Sequence, residues 1–160
     1  MLISKAMNKA LNEQIGDELQ ASNQYVAIAT YFDSDDLGLL AGFFYKQAEE
    51  EREHAMKLVK YVVEAGGKVN VPAIGEPKNL FKSAEEAVKL ALDWEMKVTD
   101  RINRLVDLAI KDNDHLSRGF LNWFVQEQLE EVSSMSRMLH QVRRAGPNLL
   151  TVEAYLIHGK

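Results

Sequence analysis

The prolines of this chain occupy two places only: Pro72 and Pro77 in one stretch, preceded by Gly66-Gly67, and Pro147 directly after Gly146. Between them lie long stretches without strong helix breakers, and this spacing constrains the fold more than any other feature. Four segments result. In each, apolar residues recur at alternating three- and four-residue steps, the mark of an amphipathic helix. The first runs from about Lys5 to Asp33 with Ser4 as N-cap, along the seam Leu11, Ile15, Glu18, Ser22, Tyr25, Ala29 and Phe32. The second follows the Asp33-Ser34-Asp35-Asp36 turn, whose aspartates can cap it. It extends from about Leu37 to Ala65 along Leu40, Phe44, Gln47, Glu51, His54, Leu58, Tyr61 and Ala65. The third opens at the capping box Ser83-Ala84-Glu85-Glu86 and continues to about Lys111 along Val88, Ala91, Glu95, Val98, Ile102, Leu105 and Ala109. The fourth starts after Asp112-Asn113-Asp114 and stops at Gly146-Pro147, along Phe124, Gln128, Glu131, Met135, Met138 and Val142.

These segments predict an all-α protein, a four-helix bundle over about residues 5–145 in a single domain spanning 1–160. Residues 148–160 supply a short fifth helix or an apolar tail. Links one–two and three–four are short, so each of those pairs should be antiparallel. The second link, Gly66 to Lys82, is long, proline-containing and extended, enough to run the length of the bundle as one crossover.

Every seam is interrupted near its middle by a glutamate: Glu18, Glu51, Glu95 and Glu131. A lone glutamate on a long helix is ordinarily a solvated residue. Four of them, one per seam, converge on one interior region, where an ionised carboxylate costs several kcal/mol and like charges add repulsion. Two divalent cations would neutralise the set. His54 follows Glu51 at i, i+3, on the same face of the same helix, so the site mixes oxygen and imidazole donors. That donor set suits iron or manganese better than calcium, which prefers oxygen alone, or structural zinc, which recruits thiolates or several imidazoles.

Neighbouring residues are less telling. Glu50, Glu127 and Glu130 flank the seam positions and read from spacing as a solvated face or a further metal site. Tyr25 lies two turns from Glu18, where its hydroxyl could meet a metal-bound group or satisfy a core hydrogen bond. Trp123, Phe124, Phe120, Phe44, Met135 and Met138 read as core packing. His115, His140 and His158 read as surface or cap residues.

Composition removes competing classes. The 160-residue chain has no cysteine, which excludes disulfides, zinc ribbons, thiolate nucleophiles and cysteine-ligated clusters. A formal charge of −5 and no basic run beyond Arg143-Arg144 disfavour nucleic acid as a partner. No apolar run approaches the roughly 20 residues of a membrane helix. The polar Asn8, Lys9, Asn12 and Glu13 follow Met1 too closely for a secretory signal, which makes a cytoplasmic location the expectation.

The pattern resembles the non-haem ferritins of bacteria and archaea. The likeness is carried by Glu18 with Tyr25, the stretch Glu50-Glu51-Arg52-Glu53-His54, Glu95, and Trp123 through Glu131, and it covers the chain to about Gly146. It implies a ferroxidase centre with one iron on Glu18, Glu51 and His54 and a second on Glu95 and Glu131, bridged by Glu51. It further implies Gln128 beside the second iron, a third iron site from Glu50, Glu127 and Glu130, and Tyr25 and Trp123 in electron transfer. The implied function is iron storage, with ferrous iron oxidised by dioxygen or peroxide and mineralised inside a hollow shell of about 24 chains.

Departures from related families refine the expectation. Arg52 stands where bacterioferritins carry the haem-ligating methionine, so no haem is expected. Glu127-Gln128-Leu129-Glu130 lacks their second Glu-x-x-His. Arg118 and Leu121 align with acidic channel positions of animal ferritins. The competing expectation keeps the centre without the shell: a dimeric di-iron oxidase or peroxide reductase of the rubrerythrin-like kind.

Overall fold

The computed structural model describes residues 1–158, which form five helices and no strand: α1 (Lys5–Asp33), α2 (Gly38–Glu64), α3 (Ala84–Lys111), α4 (His115–Ala145) and α5 (Leu150–His158). Ser4, Ser83 and Asp114 start three of them. Their side-chain oxygens accept from the N–H groups of Met7, Glu86 and Ser117 at 3.0, 3.1 and 2.9 Å. The box at Ser83 closes one residue early, for the Glu86 carboxylate accepts from Lys82 N–H at 2.6 Å and pairs with Lys78.

The expected cap of α2 is absent. The aspartates of the preceding turn stay exposed, Asp36 adopts φ 58°, and Leu37 takes the N-cap position with no side-chain bond. Glu153 of α5 does the work instead. Its carboxylate accepts from Leu39 and Leu40 N–H at 3.0 and 2.8 Å, placing negative charge at the positive end of α2. The tail is therefore a helix as far as His158, anchored by Val152 and this cap. Gly159 and Lys160 lie outside the described residues.

The crossover is fastened to α1 by side-chain amides at every fourth residue. Asn8, Asn12, Gln20 and Gln24 each hydrogen-bond main-chain groups of the crossover, at Lys68, at Lys68 and Asn70, at Gly75 and at Lys78 respectively. The missing rung is Gly16, where a Cβ would come 2.5 Å from Pro72 Cγ. Pro72 can lie directly on the helix only because that position has no side chain.

The buried apolar side chains separate into two clusters. One joins residues 21–32 of α1, 40–48 of α2, 84–91 of α3 and 135–142 of α4, with Val152 from α5. The other joins Met7 to Ile15 of α1, Leu58 and Val62 of α2, Val98 to Ala109 of α3, and Leu121 and Phe124 of α4. This grouping sets α1 antiparallel to α2 and α3, and α2 parallel to α3, as the long crossover requires. Between the clusters lies a layer of polar side chains.

Candidate metal centre

That layer holds the five residues singled out in the seams. Glu18, Glu51, Glu95, Glu131 and His54 are 1, 1, 0, 4 and 5% exposed, each flanked along its helix by core residues of the two clusters. Their donor atoms form two groups. One atom each from Glu18, Glu51 and His54 lie within 4.8 Å of one another, and so do atoms from Glu51, Glu95 and Glu131. Glu51 belongs to both.

Neutral donors orient the carboxylates. Tyr25 donates its hydroxyl to Glu95 Oε1, and Gln128 donates Nε2 to Glu95 Oε2 and to the Glu95 carbonyl, both at 3.2 Å. Thr99 Oγ1 lies 3.1 Å from the same amide and donates to the Glu95 carbonyl at 2.9 Å. Gln14 donates Nε2 to Glu18 Oε1 at 2.9 Å. Glu18 Oε2 and Glu51 Oε1 are buried and receive no N–H or hydroxyl donor among the described residues. A buried carboxylate oxygen without a donor is a place for a cation.

Electrostatics point the same way. Burial pushes the carboxyls of Glu18 and Glu51 well above the usual glutamate range, with the charge of Glu51 adding to the first and that of Glu95 to the second. Burial also raises Glu95, against the hydrogen bonds from Tyr25 and Gln128. Glu131 is pushed up to about 8 by burial, then by Glu95, Glu50 and Glu127. Divalent cations reverse this preference by replacing the protons. The residues present therefore fit two cations.

The residues expected to form a third site are only partly together. Glu127 joins His54 and Glu131 within 4.8 Å, its Oε1 lying 3.9 Å from His54 Nε2. Glu50 and Glu130 line the same surface depression as Glu127 and Glu131, outside any such group. Glu50 is held by Gln47 Nε2 at 2.6 Å and lies 3.3 Å from Lys46 Nζ. Trp123 meets the His54 ring edge-on at 5.3 Å between centroids, with Lys57 Nζ 3.5 Å above the indole.

Arg52 and Arg118 are exposed, as are His115, His140 and His158. Leu121 is fully buried in the second apolar cluster. Sequence reasoning passed over Gln14 and Thr99. Each lies four residues from a seam glutamate, the spacing at which side chains meet on a helix.

No described helix is long and apolar enough to cross a membrane. A family model, the ferritin-like domain, matches residues 8–145. Ferritin BfrB of Mycobacterium tuberculosis is 45% identical over 146 residues, 91% of this chain and 81% of that protein. The bacterial non-heme ferritin of Staphylococcus haemolyticus is 36% identical over 154 residues, 96% of this chain and 93% of its own. Among solved structures, an open-pore ferritin from the hyperthermophilic archaeon Archaeoglobus fulgidus superposes with a TM-score of 0.93 at 35% identity, covering 97% of this chain and 96% of that one.

Proposed function

The chain belongs to the ferritin-like domain family, and on that premise we propose that it stores iron, oxidising ferrous ions at the buried centre and depositing the ferric product as mineral. The observation that carries this reading is the pair of buried donor groups sharing Glu51.

Ferrous iron is the substrate. Glu18, Glu51 and His54 take one ion, while Glu51, Glu95 and Glu131 take the other. The shared carboxylate brings the two ions together, so that one electron from each passes to a single molecule of dioxygen or peroxide. Protons leave the carboxyls as the cations arrive, and the His54 imidazole supplies the nitrogen donor. Tyr25 and Gln128 keep Glu95 aimed while its charge changes partner. Tyr25 bonds Glu95 and Trp123 packs on His54, contacts that support a role for both in passing electrons. A third ion sits where Glu127 approaches His54 and Glu131, with Glu50 and Glu130 at its rim.

The product collects inside a shell of about 24 chains, in the cytoplasm and without haem. Exposed apolar residues support assembly: Val71, Ile74 and Leu80 on the crossover, and Leu150, Tyr155 and Ile157 on α5. The rubrerythrin-like alternative is not favoured, since the relatives above are ferritins over nearly the whole chain.

Anaerobic ferrous titration should find about two tight sites per chain. Because Glu51 serves both groups, Glu51→Ala should abolish both. Unchanged iron oxidation in Glu51→Ala and His54→Ala overturns the reading. A native mass near 24 chains of 18.1 kDa supports the shell, and a dimer returns the weight to the oxidase.

A further inference from the structure

Gln14 lies one turn before Glu18 on α1, is 2% exposed, and gives Glu18 Oε1 its only side-chain hydrogen bond, at 2.9 Å. Glu18 Oε2, the other oxygen, is buried and receives no N–H or hydroxyl donor among the described residues; the neighbouring polar group is the Glu51 carboxyl. The carboxylate is thus held by one oxygen and open at the other, within 4.8 Å of donors from Glu51 and His54. We propose that Gln14 is a positioning residue of the iron-oxidising centre, fixing Glu18 so that its free oxygen completes the site shared with Glu51 and His54. This rests on the ferroxidase reading above.

The surroundings make the role specific. Glu18 is the only carboxylate of the four contributed by α1, and Gln14 holds it from the same helix. Glu95, by contrast, is held by Tyr25 and by Gln128 on α4. Gln14 also lines a groove between α1, α3 and the crossover, with Asp17, Gln20, Trp94 and Arg101 on its walls. Gln14 thus borders that groove while its amide bonds Glu18. An amide in this place donates to the carboxyl group without adding a further charge to a cluster of four acidic side chains. Asparagine would fall short by one methylene, about 1.5 Å.

Anaerobic ferrous titration of the assembled protein separates this role from a structural one. Gln14→Met, unbranched and similar in volume but without a donor, should weaken one site roughly 10–100-fold and leave the site of Glu51, Glu95 and Glu131 intact. The tight stoichiometry then falls from about two to one per chain. Gln14→Asn should give the same loss and serves alone if the methionine variant does not fold. Two undiminished sites in either variant overturn the assignment, and so does an equal weakening of both, which is what general loosening of the bundle would produce. If the unsubstituted protein itself lacks two tight sites, the ferroxidase reading fails, independently of Gln14.

Discussion

In the metal-free protein Glu131 holds its proton up to about pH 8, far above the ordinary glutamate value of 4.5. In that window the folded state binds more protons than the unfolded one, so the contribution of Glu131 to stability is full below about pH 4.5 and is lost as pH rises through 8. Glu18, Glu51 and Glu95 shift in the same direction. The thermal midpoint of the metal-free protein should therefore fall between pH 5 and pH 8, and about 1 kcal/mol corresponds to 2–4 °C at this chain length. Glu131→Gln, neutral throughout, should flatten the profile. A midpoint that rises over this range contradicts the account. The five central residues were legible because a charge in an apolar seam stands out. Gln14 was not, since a glutamine between Asn12, Glu13 and Asp17 looks like part of a solvated face.

At the level of elements, the helices were readable nearly to the residue, while their attachments were not. The cap of α2 comes from Glu153, more than a hundred positions away, and no local pattern announces such a partner. Glu153→Ala should cost about 1 kcal/mol, the usual worth of a helix N-cap, seen as a lower thermal midpoint with helical content retained. The amides on α1 recur with a period of four, yet a polar stripe on a helix ordinarily means solvent. Gly16→Ala should drive Pro72 off the helix and cost roughly 1–3 kcal/mol. Limited proteolysis within residues 68–78 would report the loosening. Because the rungs bind main chain, most crossover residues should tolerate substitution, whereas one residue inserted between Asn70 and Gly75 would put Gln20 and Gln24 out of step.

For the whole molecule, a divalent cation that binds only the folded state should raise the midpoint, by about 2.7 kcal/mol per site at 100 times its dissociation constant. Glu51→Ala should remove most of that gain, as measured with ferrous ion under anaerobic conditions. The polar layer of Glu18, Glu51, His54, Glu95 and Glu131 also parts the buried apolar side chains into two clusters, with the half-buried Trp94 packed against both. Leu40 packs in one cluster and Leu105 in the other. Their alanine variants should each cost about 2–5 kcal/mol, and the double variant should equal the sum within about 0.5 kcal/mol. Phe32 and Phe44, stacked at 5.7 Å in the same cluster, should not combine so simply. The polar layer thus acts as mutational insulation: away from Trp94, one end of the bundle can drift in sequence without demanding compensation from the other.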